Sequence, residues 1–362
     1  MIGKLPNSFF GGVETYTKLL LETLTDVDFI VLSQASQFVP ARLRSNMTIV
    51  RSHKIAHNNQ FLQAVSFSVC CIITLPFLLL RKNPEVVHVQ YGNFFDLLLT
   101  IVPRLLGYKT VVTMHVSDCW LHLRHVVPRL ITALVLRAVS AVVCISNIQL
   151  IMLRKLHIRT ARILYIPLCI DNEFYELPRK AKKKREIRLL YLGRVRPEKG
   201  IHELLIAFNQ AKKEIHSAEL LIVGPVSQDF RKEITDLISR LKIVDVHLLG
   251  PQTDITAKIM LYDSAHVFVY PSYVDTFPMS IIEALSRGCI IVASNIADIP
   301  YLVGSAGLIV SPGNIGELKD ALVSACEAAK RKSDLSLKAI HRAQRYKRDN
   351  ILRRYSNLYN SI

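Results

Sequence analysis

Ile187-Arg188-Leu189-Leu190-Tyr191-Leu192 runs directly into Gly193-Arg194-Val195-Arg196-Pro197-Glu198-Lys199-Gly200, and an amphipathic helix pattern begins near His202. An apolar run, a basic turn bracketed by glycines and a helix, in that order, describe a strand feeding a helix in a parallel sheet. The turn has the chemistry of a phosphate seat. Gly193 and Gly200 let the backbone approach a ligand, Arg194 offers a planar fork of donors, Lys199 adds a point charge, and the helix directs its first amides to the same place. A ligand with two or three negative charges is expected there.

The same alternation extends in both directions. Short apolar runs fall at Phe29 to Leu32, Val86 to Val89, Thr110 to Met114 and Ala141 to Ile145. A second series falls at Ile187 to Leu192, Glu219 to Val223, Val246 to Leu249, Val267 to Tyr270, Ile290 to Val292 and Gly307 to Val310. Strand and helix in alternation predict an α/β chain with doubly wound parallel sheets. Leu177-Pro178-Arg179-Lys180-Ala181-Lys182-Lys183-Lys184-Arg185 is too charged for a core and reads as a linker. It divides the chain into residues 1–175 and 186–335, followed by a basic amphipathic helix over 336–362 expected to pack back toward the first domain. Ligands of open parallel sheets lie beyond the carboxyl ends of the strands, so two such domains are expected to face each other across a substrate cleft.

At 362 residues, half of them hydrophobic and 21% charged, the chain has globular composition and enough length for two domains. Seven cysteines with no C-x-x-C pair argue against a disulfide framework and for a reducing compartment. The N-terminus lacks the apolar core of a signal peptide, which predicts a cytoplasmic protein. Net charge is +17 and unevenly spread: residues 1–170 hold seventeen Lys and Arg against seven Asp and Glu, the remainder twenty-nine against twenty-two. A basic first half predicts an anionic partner, phospholipid before nucleic acid, for which neither an aromatic platform nor a zinc spacing is present. Phe61 to Leu80 is apolar almost throughout; it reads as a helix packed on the first sheet, with a membrane-surface or spanning helix as alternatives.

The second chemical signal is Tyr270-Pro271-Ser272-Tyr273-Val274-Asp275-Thr276-Phe277-Pro278-Met279-Ser280-Ile281-Ile282-Glu283. A strand ends, a loop carries Asp275, and Pro278 starts a helix bearing Glu283 in its second turn. Glu283 stands among apolar residues, where an ionised side chain needs hydrogen-bond partners; the diol of a ribose would supply them. An acid complementing a helix dipole is the plainer alternative.

These motifs, with Gly11-Gly12-Val13-Glu14 near the start, His115 after the strand Thr110 to Met114, and Ile166-Pro167-Leu168-Cys169-Ile170-Asp171, resemble the retaining glycosyltransferases of family 4 over essentially the whole chain. The resemblance implies the GT-B fold, two Rossmann-like doubly wound domains facing a cleft. It places Arg194 and Lys199 on the donor diphosphate, Glu283 on the nucleotide ribose and Asp275 against the donor sugar. Gly11, Gly12 and Gly193 lie beside the diphosphate, the amides of Met279 and Ser280 assist, and His115 lines the sugar site. Departures are Asp275 where Glu is usual, Pro278 where Gly is common, and Cys169 for Gly. Only Met1 and Ile2 precede Gly3, whereas the family's first strand runs several residues further upstream.

The implied reaction is a metal-independent, retaining transfer of a hexose from a nucleotide-diphosphate sugar, with no cofactor, to a glycan or polyprenyl-linked acceptor of surface-polysaccharide assembly. Asp26-Val27-Asp28 spells a metal-binding D-x-D but joins a helix to a strand, and His115, His122 and His125, or His53 with His57, lack further partners at ligand spacing. Attachment at the inner face of the cell membrane follows from the basic first half. The alternatives are a sugar-nucleotide epimerase of the same architecture and a non-catalytic GT-B scaffold.

Overall fold

Among the described residues all strand pairs are parallel, and most strands are short apolar runs that alternate with helices in the sequence. The structure, a computed structural model, describes residues 12–24, 27–34, 47–52, 60–91, 94–115, 126–155, 157–158, 162–178, 186–215 and 217–362. Gly11, Asp26, His53, His57, His122 and His125, and the linker residues 179–185, lie outside the described residues. The chain forms two compact units, one of Met1–Leu168 with Arg348–Ile362 and one of Cys169–Lys347.

In the first unit, helix α1 (Gly12–Thr23) precedes strands β1 (Phe29–Gln34) and β2 (Met47–Ser52), which pair with each other. Helix α2 (Gln60–Lys82) leads to β3 (Val86–Tyr91), then α3 (Phe94–Leu98), α4 (Ile101–Leu105), β4 (Lys109–Met114), α5 (Val126–Ala138), β5 (Ala141–Cys144), α6 (Asn147–Lys155) and β6 (Ile163–Tyr165). Strands β3 to β6 form one sheet in sequence order. Successive side chains of a strand alternate between faces. Val87, Val89, Val112, Met114, Val142 and Cys144 therefore share a core with Cys71, Leu75 and Leu79, one stripe of α2 at four-residue spacing. The long apolar stretch is thus a helix packed on the sheet, and among the described residues no helix is long and apolar enough to cross a membrane. A cavity of about 440 Å³ lies between Phe29 and Ile30 of β1 and Val86 to His88 of β3; Asp28 lines it.

The opposite face of β3 and β4 buries polar side chains, His88, Gln90 and Thr113. The C-terminal helix Arg348–Ser361 supplies partners to two of them: Tyr359 Oη lies 2.6 Å from His88 Nδ1, and Tyr355 Oη 3.1 Å from Thr113 Oγ1, while Gln90 Nε2 lies 3.3 Å from His88 Nε2. Thr113 Oγ1 is in turn 2.8 Å from His88 Nε2.

The second unit starts with α7 (Glu173–Glu176) and β7 (Ile187–Leu192), then α8 (Ile201–Ala211), β8 (Ala218–Val223), α9 (Gln228–Arg240), β9 (Val246–Leu249), α10 (Ile255–Ser264), β10 (Val267–Tyr270) and α11 (Met279–Ser286). It continues through β11 (Ile290–Ser294), α12 (Ile299–Val303), β12 (Gly307–Val310), α13 (Ile315–Lys330) and α14 (Leu335–Ala343). Side chains of Ser227, Asp254 and Asn314 accept from the first-turn amides of α9, α10 and α13, which sets where those helices begin. The strand order is β12-β11-β10-β7-β8-β9, so the winding reverses between β7 and β10.

The expected boundary near residue 175 and the division after Leu168 differ for a physical reason. Arg287, 2% exposed, donates to the carbonyls of Phe174, Leu177 and Pro178 while pairing with Asp263, and this ties the segment after Cys169 to the second unit. The tail also differs from one continuous helix over 336–362. Helix α14 ends at Ala343 in the second unit, a 3-10 turn follows at Gln344–Tyr346, and Arg348–Ser361 belongs to the first.

Candidate functional site

Parallel sheets bind ligands beyond the strand ends where the winding reverses, because neighbouring connections there leave to opposite faces. In the second unit that point lies between β7 and β10, and both chemical signals of the sequence follow those two strands. From β7 the chain passes through Gly193, whose amide bonds the Val223 carbonyl at 3.0 Å, into the 3-10 turn Pro197–Lys199. Gly200 closes the turn at φ +70°, and a Cβ there would run into the Pro271 carbonyl oxygen. Only glycine combines that conformation with that approach. The turn after β7 is thereby pressed against the loop after β10, and Tyr273 N of that loop donates to the Glu198 carbonyl of the turn at 3.0 Å.

Lys199 is consequently buried at 8% exposure with its ammonium inside the β10 loop. Nζ lies 2.7 Å from Asp275 Oδ2, 2.9 Å from the Val274 carbonyl and 3.3 Å from Tyr270 Oη. Tyr270 Oη also donates to Asp275 Oδ2, while Oδ1 accepts the amides of Thr276 and Phe277 at 2.8 and 3.2 Å. Burial first, and the Asp275 carboxylate next, push the Tyr270 phenol well above its usual range, so it remains a donor. Arg194 is exposed, and its charge acts on the same ring in the opposite sense. Its carbonyl is held by Tyr191 Oη at 2.7 Å, and the Tyr191 and Tyr270 rings stack at 6.1 Å.

Glu283, 5% exposed on α11, belongs to a separate pair. Lys258 Nζ donates to Oε1 at 2.6 Å and Tyr262 Oη to Oε2 at 2.7 Å, both from α10. The partners an ionised carboxylate needs in this apolar setting are therefore supplied from within the unit. Burial, then Glu283, raises the Tyr262 phenol well above its usual range and keeps it protonated. Phe268 bridges the two pairs, its ring 5.7 Å from Tyr262 and 6.3 Å from Tyr270. Pro278 caps α11, and Met279 and Ser280 stand half-buried at its first turn.

The structure thus joins Lys199 to Asp275, with Gly193 and Arg194 on the adjoining turn, and gives Glu283 different partners. Tyr191, Tyr270, Lys258 and Tyr262 went unread in the sequence. The two tyrosines at strand ends look like ordinary strand residues, and the only trace of the other pair was the four-residue spacing of Lys258 and Tyr262 on one helix face.

In the first unit Gly12 opens α1, and His115 follows β4 at 8% exposure. Its Nε2 bonds Gln90 Oε1, which assigns the proton to that nitrogen. Among the described residues Nδ1 has no partner. Burial lowers the His115 pKa from 6.5 to about 3, and lowers that of His88 as well. An unfolded chain binds protons at these rings below about pH 6.5 while the folded one does not, so stability is lost as pH falls through 6.5 toward 3. The unfolding midpoint is expected to drop between pH 6.5 and 4, and His115→Asn to flatten that drop; calorimetry showing the same slope in both proteins would contradict it.

Two family descriptions match the chain: Glycosyltransferase Family 4 over residues 10–174 and Glycosyl transferases group 1 over residues 174–342. Among curated proteins the chain is 27% identical over 173 residues to an O-antigen chain mannosyltransferase B of Escherichia coli, covering 47% of this chain and 45% of that one. The chain spans about half the length of the curated relatives it matches. Among solved structures it is similar to sucrose-phosphate synthase from Thermosynechococcus elongatus, with a TM-score of 0.81, 18% identity, and 99% and 98% of the two chains covered. HepE from Anabaena, solved with UDP and glucose, gives a TM-score of 0.78 at 18% identity, covering 100% and 99%. The two family matches meet at residue 174 and together run from residue 10 to residue 342, so the chain belongs to the family 4, group 1 glycosyltransferases of GT-B fold.

Proposed function

We propose that the protein transfers a hexose, with retention, from a nucleotide-diphosphate sugar to a glycan or polyprenyl-linked acceptor of surface-polysaccharide assembly. The observation that carries the reading is the buried Lys199 ammonium beside Asp275 at the winding reversal of the second unit, with the Arg194 guanidinium free toward solvent on the same turn. A diphosphate seated on Gly193 to Gly200 receives both cations. Glu283, aimed by Lys258 and Tyr262, keeps acceptor capacity on its oxygens for the two hydroxyls of a ribose. The Met279 and Ser280 amides at the start of α11 face the same anion, since Pro278 has no N–H to offer.

The chemistry asks for little else. As the bond from the anomeric carbon to the phosphate oxygen breaks, positive charge grows on the sugar and negative charge on the departing nucleotide diphosphate. Fixed cations at the leaving group stabilise that separation. The acceptor hydroxyl attacks from the face the phosphate leaves, and its proton passes to the phosphate oxygen. His115 serves the sugar as a neutral ring, because burial keeps it uncharged. The reading is supported by the O-antigen relative for the acceptor class and by the UDP-bound neighbour for the donor class. An anionic membrane surface is the proposed setting, at the inner face of the cell membrane.

The test is a panel of nucleotide sugars incubated with the protein and read by mass spectrometry. Release of a nucleoside diphosphate from one donor, faster with a lipid-linked glycan present, is the expected result. A rearranged nucleotide sugar with no acceptor requirement would instead identify an epimerase, and no turnover of any donor a scaffold.

A further inference from the structure

Four helices, α2, α4, α5 and α6, cover one face of the first unit's main sheet, and each contributes residues to or against the core beneath it. Their outward faces are not polar. Of the twenty-one large hydrophobic residues exposed among the described residues, thirteen lie on these helices or within one residue of their ends. Leu105 is 82% exposed, Phe77 75%, Leu80 70% and Val127 65%. Helix α2 is the extreme case: Cys71, Leu75 and Leu79 face the core, while Ile73, Phe77 and Leu80 face outward. A water-facing helix on a sheet carries one apolar stripe, and this one carries two.

The charges on the four helices have one sign, and the exposed Glu85 follows α2 outside the helix. The sequences of the four helices hold Arg81, Lys82, Arg104, Arg129, Arg137, Arg154 and Lys155 and no aspartate or glutamate. Exposed Leu, Phe and Val interspersed with cations and free of carboxylates match the interfacial zone of an anionic bilayer, where apolar side chains enter the acyl boundary and cations meet headgroup phosphates. A second copy of this chain fits poorly, because a two-fold contact would set cation against cation with no acid to offset them.

We propose that this face docks the protein on an anionic phospholipid surface without crossing it. Phe77 and Leu80 of α2 and Leu105 at the end of α4 enter the bilayer boundary, and Lys82, Arg104 and Arg129 hold headgroup phosphates. The assignment takes its choice of partner from the membrane setting proposed above and adds the surface that meets it. No residue of the face belongs to the donor site, so donor turnover in solution reports separately on that site.

The test is co-sedimentation of the full chain with vesicles of phosphatidylcholine, alone or mixed with phosphatidylglycerol. Binding is expected to the mixed vesicles only, to weaken with added salt, and to fall at least about tenfold in Phe77→Asp/Leu105→Asp, whose added carboxylates must otherwise enter the boundary. Arg104 and Arg129 are exposed, and Arg104→Gln and Arg129→Gln are each expected to weaken binding about fivefold, the scale of one cation at such a surface. Donor hydrolysis in free solution stays unchanged in all four substitutions. Equal binding to both vesicle types, binding to neither, or wild-type affinity in the charge variants would overturn the proposal. So would a wild-type dimer in sedimentation equilibrium that the double variant abolishes, which would assign the face to a second copy.

Discussion

Lys199→Ala is expected to lower donor turnover by about a hundredfold or more, the scale of losing one preorganised donor at developing negative charge. The loss should appear in kcat, because the ammonium interacts more strongly with the departing diphosphate than with the intact donor. Arg194→Ala is expected to act on the same scale but with a larger share in KM, since its exposed guanidinium must be ordered on binding. Lys199→Arg is not a rescue: the Nζ position is enclosed by Asp275, Val274 and Tyr270, and a planar fork cannot occupy it. Steady-state release of nucleoside diphosphate measures all three. Wild-type rates in both alanine variants would remove the phosphate seat from the mechanism.

The largest stability effect is expected far from any reacting atom, at Arg287→Ala. The side chain pairs with Asp263 at 2.8 Å and is fully buried, its partner 5% exposed. It also donates to the backbone carbonyls of Phe174, Leu177 and Pro178, the first of them buried. Removing one partner of a buried pair leaves the other charge uncompensated, which costs about 3–5 kcal/mol. The urea transition of the second unit should shift accordingly. Arg287→Lys should recover only part of the loss, because one ammonium cannot span both carboxylate oxygens and three carbonyls. A shift below about 1 kcal/mol, the size of an exposed ion pair, would show that the site is hydrated.

Much of this architecture was legible beforehand, for identifiable reasons. Strands β7, β9, β10 and β12 lie where short apolar runs between turn residues placed them, since a buried parallel strand is apolar on both faces and shows itself without partners. Strands β2 and β6 were missed. Met47-Thr48-Ile49-Val50-Arg51-Ser52 mixes polar and apolar residues and lies at the edge of its sheet, and β6 has three residues. Edge strands carry a weaker apolar signal because one side lacks a neighbour.

For the site, the residue types were readable and their pairing was not. Lys199 announced itself as a cation in a glycine-bracketed turn, and Asp275 as an acid after a strand, but nothing along the chain says that residues 76 positions apart touch. The four-residue offset of Lys258 and Tyr262 likewise gave no hint that both grip Glu283.

By itself, the amino-acid sequence determined the α/β class, the order of the elements and the phosphate-seeking turn, because apolar runs, glycine conformations and helix starts are settled by neighbours within a few residues. Only the tertiary structure decided which lysine serves which carboxylate, that burial lowers the His115 pKa, and which side of α2 remains outside the core. Those outcomes depend on burial, and burial is a property of what a side chain meets across the fold, which local sequence does not encode.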